Sequence, residues 1–399
     1  MEPRQQFYRL CKQYHSSVCI PNYLSIARIS YIRPCARPIT DLRSRSEPRV
    51  FPSSGWENIE PSFLVEEENI PTYKPKSLYP VHIGEVFHHR YQVVGKLGYG
   101  STATVWLCRD LPGHCHVALK VYITSTSVSQ RIEIYNHLKT IQSDHAGQSC
   151  LRSLIDTFQV QNPDGHRYHT CLVHPPLGMS LDQLTPLLPS KVMSSFMVRT
   201  TMRNILAALD FLHTEAQVIH TEAEVEGPVL RKSHSDRTIY VSRPLPISFG
   251  TPGDIMPDIY RAPEVILNMN WDSKVDIWNV GMVIWDLFEH RHLFKARNDE
   301  GKLDDGQHLA EMQAVLGRPP AEFLARSARS PQFWDANVQW KGEVPIPDYD
   351  LETLKERLED SEKEDFLRFL RRMLCWLPEE RATAKELLFD PWLMHGRFK

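Results

Sequence analysis

From Tyr91 onward the chain alternates apolar and polar residues in short runs. YQVVGKLG (91–98), TATVWLCRD (102–110) and HVALKVYI (116–123) are rich in β-branched and aromatic side chains. They predict three consecutive antiparallel strands. The period then changes: Ile132, Ile134, Tyr135 and Leu138 line one face of a predicted helix over 129–140. HTCLVHPP (169–176) is a further strand, closed by Pro175 and Pro176. Beyond it helical spacing dominates. Residues 191–215 carry Met193, Phe196, Met197, Ile205, Leu209 and Leu212, residues 276–288 form an apolar helix, and 351–376 hold one or two amphipathic helices. The pattern predicts an α+β chain in which a small β-rich lobe precedes a larger helical lobe.

The first 80 residues have another texture. Residues 1–50 hold nine Lys/Arg against Glu2, Asp41 and Glu47, a local balance of +6 that leaves −9 for the rest of a chain of net charge −3. This Arg-rich leader, with FYRLCKQY near its start, reads equally as a mitochondrial presequence or as a basic disordered tail. Seven prolines among mixed charges over 38–80 read as an extended linker, so 1–80 is expected to be largely disordered. The eight cysteines lack C-x-x-C spacing, which indicates neither a disulfide framework nor a zinc site and favours a reducing compartment. The longest apolar run, around Val280–Phe288, is broken by Asp286, so no membrane span is predicted. The overall charge gives no sign of direct nucleic-acid binding.

Two features carry candidate chemistry. Gly98-Tyr99-Gly100 lies between two predicted strands, where the lack of Cβ lets backbone N–H groups approach a phosphate. Tight structural hairpins use the same residues. Fifteen residues after Val105, Val117-Ala118-Leu119-Lys120 places a lysine inside an apolar strand. Such a cation meets an anion or snorkels from an edge strand. The order and spacing of the two together favour a nucleotide phosphate.

GKLGYGSTATVWLCRD, VALK, YRAPEVIL and VDIWNVGMVIWDLFEHRHLF resemble, in this order, a eukaryotic protein kinase. YPVHIGEVFHHRYQVVGKLGYG, RTIYVSRP and DIMPDIYRAPEVIL are similar to the SR-protein kinase type found in fungi. The resemblance implies a bilobal fold, with an N-lobe over 91–176 and a C-lobe over 177–395. It further implies that ATP meets Leu97, Gly98, Tyr99, Gly100, Val105, Ala118 and Lys120, with 172–176 as the hinge. It implies a buried ion pair between Glu264 and Arg381, and Asp276 as anchor of the catalytic-loop backbone. Implied partners are Arg-Ser-rich splicing factors drawn to an acidic groove on the large lobe; Asp304, Asp305 and Glu311 lie in the corresponding stretch, where an ordinary solvated loop and helix face is the more usual reading. The implied location is cytoplasmic or nuclear.

The catalytic elements depart from the family pattern. Kinases use a catalytic-loop Asp as base, an Asn and the D-F-G Asp to hold Mg2+, and a Lys–Glu pair to set the phosphates. Here the loop reads His220-Thr221-Glu222-Ala223-Glu224-Val225-Glu226-Gly227, and Ser248 precedes Phe249-Gly250. Glu222 stands at or near the missing base, Gly227 has no oxygen side chain, and Ser248 offers Mg2+ a neutral hydroxyl. A second alignment has the loop from the aspartate onward absent, and only twelve residues separate Phe249 from Ala262. The helix after Lys120 puts Arg131 in the glutamate slot, with Glu133 about 200° away; a looser register would return Glu133 to it. Loss of the general base alone costs roughly 10²–10⁴-fold. The sequence therefore leaves two readings: an active serine/threonine kinase whose sequence lacks two internal stretches, or a pseudokinase that binds nucleotide or acts as a scaffold.

Overall fold

The computed structural model describes residues 46–52, 60, 62–70, 73–124, 128–188, 191, 193–219, 258–289, 291–358 and 360–395, and by backbone alone 231–233 and 238–240. Its chain divides into two compact units. Among the described residues, one comprises those from Ser46 to Gln142 together with Leu151–Met179; the other comprises Ser143–Cys150 and those from Ser180 onward. The α+β expectation holds, with strands concentrated in the first unit and helices in the second.

The first unit is built on a six-stranded antiparallel sheet. Its strands are β1 (Val86–Phe87), β2 (Tyr91–Gly100), β3 (Ala103–Asp110), β4 (Cys115–Tyr122), β5 (Asp156–Gln161) and β6 (Tyr168–His174), in the order β1-β2-β3-β4-β6-β5. Period-two alternation divides the side chains between two faces. In β4, Val117, Leu119 and Val121 join Tyr91, Val93, Cys108, Cys171 and Val173 in one core. Ala118, Lys120 and Tyr122 point to the other face, where helix α1 (Ser129–Thr140) lays Ile132 and Tyr135 against Tyr122, Leu154 and Leu172. Helix α1 has no fully buried residue and no side-chain cap, so this one-sided packing is what seats it.

Part of the stretch read as a linker is seated on this sheet. The Ser46 N–H donates to Leu111 O, and the Gln92 side chain closes a pair of hydrogen bonds with the Arg49 backbone at 2.7 and 2.9 Å. Tyr79 packs edge-on against Phe87 and donates to Glu85 at 2.6 Å. Glu66 and Glu67, in a single 3₁₀ turn, ion-pair with Lys96 of β2. Prolines and mixed charge hid Tyr79, an apolar ring with a partner for its hydroxyl. The basic leader lies outside the described residues. Cys115 is disulfide-bonded, which corrects the reading of the cysteines from their spacing, while Cys108, Cys150, Cys171 and Cys375 are free thiols.

In the second unit, α2 (Ser195–Phe211) begins at Ser194, whose hydroxyl accepts from Met197 N. It buries Val198, Met202, Ile205, Leu206 and Leu209, whereas Phe196, expected on the apolar face, is exposed. The turn Ala146–Cys150 crosses α2 so closely that a Cβ on Gly147 would stand 1.8 Å from Ala207 O. The last turn widens into a π-helix over Leu212–Ala216, ended by left-handed Gln217. Helix α3 (Lys274–Glu289) is buried nearly all round, as its apolar run requires. Two further helices, α4 (Asp305–Leu316) and α5 (Asp360–Arg371), follow. The 351–376 region is thus the short helix Leu351–Leu354 and then α5. Among the described residues no helix is long and apolar enough to cross a membrane.

Arg381 and Glu264 meet in the buried interior at 2.6 and 2.7 Å. The guanidinium also donates to Cys375 O and Lys274 O and lies 5.0 Å from the Trp278 ring. Every nitrogen of the fork donates, so the pair joins the 264–274 region to the 375–381 region, more than a hundred residues away in sequence. Arg381→Met strands the Glu264 carboxylate and is expected to cost about 3–5 kcal/mol in urea unfolding; a loss below about 1 kcal/mol contradicts this. His308 is wholly buried beside Phe294, with neither ring nitrogen hydrogen-bonded. Burial, then Arg261, pushes its pKa down to about 3 against the opposing pull of Asp305. Below about pH 6.5 the unfolded chain binds a proton that the folded chain refuses, so stability falls as pH drops through this window. His308→Phe is expected to flatten the slope of unfolding free energy between about pH 6 and 4; an unchanged slope contradicts it.

Candidate functional site

The strand register collects the residues singled out around the glycine turn. Gly98 lies opposite Val105, Val105 opposite Lys120, and Lys120 opposite Leu172, forming one row across four strands. Facing residues share a side of the sheet, so Val105, Lys120 and Leu172 all point toward α1. The next row runs Gly100, Ala103, Tyr122. On the other side of the lysine row, Ala118 stands opposite His174. The β2–β3 pairing carries register shifts between Val93 and Gly95 and between Lys96 and Gly98. These irregularities bend the strand beside the glycines.

Among the described residues, each glycine's own chain neighbours aside, no atom lies within 4 Å of where a Cβ on Gly98 or Gly100 would stand. Packing within the protein therefore does not require these glycines, and the backbone around them is open to a ligand. Leu97 is exposed, Tyr99 and Val105 are half-buried, and Ala118 is buried as the small apolar floor of the next row. Lys120 is half-buried with its ammonium 4.9 Å from the centroid of the Tyr122 ring. Among the described residues no carboxylate stands within ion-pair reach of it.

The helix slot facing this strand resolves the question of phase. Glu133 is exposed. Arg131 is half-buried, donates from Nη1 to the Tyr122 hydroxyl at 3.1 Å, and has its guanidinium carbon 5.6 Å from the same ring. Tyr122, two residues beyond Lys120 on the same face, is thus approached by two cations. It was missed in the sequence, where its only signal was that two-residue spacing. Arg152 is also on this side, donating to Pro175 O, and burial lowers its pKa. The His174 pKa is pushed down to about 4 by burial, then by Arg152, Lys120 and Lys139, against a hydrogen bond to Ser153 O. The face beneath the glycine turn is electropositive.

In the second unit Asp276 is buried, with Oδ2 2.8 Å from Nε2 of His213 on the π turn that leads toward the catalytic-loop stretch. The loop backbone that Asp276 was expected to anchor, with His220, Glu222 and Gly227, lies outside the described residues, as does Ser248. Asp304, Asp305 and Glu311 correct an expectation. Asp304 caps α4 by accepting from Gln307 N, and Asp305 bridges Arg261 and Arg329 at 2.8 and 2.9 Å. Glu311 is buried and accepts from Lys295 N and Ala296 N. Each carboxylate is engaged by its own fold, so these three do not make a free acidic surface.

Comparison with known proteins gives this arrangement its context. The protein kinase domain matches residues 255–393. A serine/threonine protein kinase of Aspergillus fumigatus is 42% identical over 378 residues, covering 88% of this chain and 96% of its own. The chain belongs to the serine/threonine protein kinases. The serine/threonine-protein kinase SRPK of Physarum polycephalum is 29% identical over 400 residues, 83% of this chain and 92% of that one. Protein kinase dsk1 of Schizosaccharomyces pombe is 22% identical over 464 residues, 82% of this chain and 85% of that one. The shared stretches of 378 and 400 positions are longer than the 88% and 83% of 399 residues that this kinase contributes to them. Those relatives therefore carry residues with no counterpart here.

Protein kinases use ATP with Mg2+. Val105 and Lys120 in one row, with Ala118 in the row beside it, fit the nucleotide under an open glycine turn. The two stretches where the family holds its metal lie outside the described residues. Among the described residues no group of three or more His, Cys, Asp or Glu side chains could hold an ion. Gly227 and Ser248, the residues that the first of the two sequence alignments sets at the metal-binding positions, supply no carboxylate. Replacing Lys120 with methionine breaks no described ion pair. Lys120→Met is expected to unfold within about 1 kcal/mol of the parent while losing the thermal shift given by ATP. A loss above about 2 kcal/mol without ligand identifies a structural lysine instead.

Proposed function

We propose that this chain is a nucleotide-binding member of the SR-protein-kinase type that transfers phosphate very weakly or not at all. ATP is held by Leu97, Gly98, Tyr99, Gly100, Val105, Ala118 and Lys120. The observation that carries the reading is the pairing of an intact cradle with a cation, Arg131, where the family places its carboxylate. The second support is chemical: a base at Glu222 has a longer arm than aspartate, and a displacement of about 1 Å can cost about 100-fold. Glu264, Asp276 and Arg381 are proposed to maintain the large lobe.

The likeness to SRPK and dsk1 supports Arg-Ser-rich proteins as the partner class and a cytoplasmic or nuclear location. Asp305, bridging Arg261 and Arg329, and buried Glu311 are poorly placed to supply docking charge. A second reading is an active kinase whose sequence here lacks two internal stretches, around the catalytic loop and after Ser248. The extra residues in the relatives favour it. A transcript read across codons 215–265 that matches the present chain ends that reading.

Two measurements test the proposal. Thermal-shift titration with ATP is expected to raise the melting midpoint, and no shift with or without Mg2+ removes nucleotide binding. Phosphotransfer to an Arg-Ser peptide is expected to fall at least about 100-fold below that of a version with the missing segments restored. Comparable rates from the two proteins overturn the proposal.

A further inference from the structure

The two cations flanking Tyr122 come from different elements, yet the sheet register places them along one line. Lys120 belongs to the row headed by Gly98, and Tyr122 to the next row, headed by Gly100. Arg131 reaches Tyr122 from α1, held by the phenol oxygen at 3.1 Å and by the ring at 5.6 Å. A polyphosphate lying under the glycine turn from one row to the next meets the Lys120 ammonium and then the Arg131 guanidinium. The lysine is a point charge on a flexible stem; the guanidinium is a planar fork that matches two phosphate oxygens. Their neighbours add to the positive field, since Arg152, Lys120 and Lys139 all oppose protonation of His174.

In an active kinase the lysine is paired with a carboxylate, and the charge of the phosphates is offset chiefly by divalent metal. Here the first arrangement is reversed and the ligands for the second are missing at Gly227 and Ser248. We propose that Arg131 is a nucleotide-binding residue which, with Lys120, grips the phosphates of a nucleoside di- or triphosphate without divalent metal. This rests on the nucleotide-binding reading above and deepens it. Arg131 takes over part of the charge neutralisation that metal supplies elsewhere. Because its fork is fixed on a helix, it stabilises the bound phosphates without offering a site for the metal that transfer requires.

The test is calorimetric titration of the full chain with ATP in EDTA, repeated with Mg2+, and with adenosine as a phosphate-free control. Arg131→Gln removes the charge while keeping bulk and a donor toward Tyr122; Arg131→Lys keeps the charge without the fork. The parent is expected to bind ATP in EDTA within about threefold of its affinity in Mg2+. Arg131→Gln is expected to weaken ATP by about tenfold or more, leave adenosine unchanged, and be partly rescued by Arg131→Lys. ATP binding that needs Mg2+, or an Arg131→Gln affinity equal to the parent's, overturns the inference and leaves the nucleotide site standing. Absence of binding by both ATP and adenosine in the parent overturns the nucleotide-binding reading itself.

Discussion

The antiparallel register from Gly98 through Val105 and Lys120 to Leu172 is the constraint on which the site depends. Slipping β4 by one residue would turn Lys120 into the core of Val117, Leu119 and Val121 and bring a valine or leucine under the glycine turn. That core fixes the register, because three apolar side chains can be buried only in one phase. The same phase sends Ala118 and Tyr122 to the lysine's side. Packing on one face of the sheet thus sets the chemistry of the other.

Among the described residues that face lacks a carboxylate beside Lys120. An active kinase balances phosphates, metal and lysine with carboxylates from a helix and two loops. In this chain the helix presents Arg131, held by the Tyr122 hydroxyl and ring, while Glu133 faces solvent. The large unit keeps its architectural ion pair, Glu264 with Arg381, and its aromatic core around Trp278 and Trp392. These contacts belong to the architecture of the large unit. They are formed by residues other than those with which the family moves phosphate.

Much of this was legible in the sequence because it follows from local periodicity. The strands β2, β3, β4 and β6 and the helix α1 follow from alternation and spacing, and the phase of Ile132 and Tyr135 already pointed to Arg131. Interactions between distant segments were not legible. Nothing local marks Tyr122 as the partner of Arg131, Tyr79 as a core residue among prolines, or Gln92 as the receptor of the Arg49 backbone. The partners of Asp304, Asp305 and Glu311 were hidden for the same reason: nothing local shows that they accept from Gln307 N, from Arg261 and Arg329, and from the 295–296 backbone.

The most direct test of a metal-free phosphate grip is a crystal structure of the chain with ATP grown in EDTA. The account predicts phosphate oxygens within about 2.7–2.9 Å of both the Lys120 ammonium and the Arg131 guanidinium, with no ordered cation between them. A triphosphate that touches Lys120 alone, with Arg131 still turned to Tyr122, would contradict it.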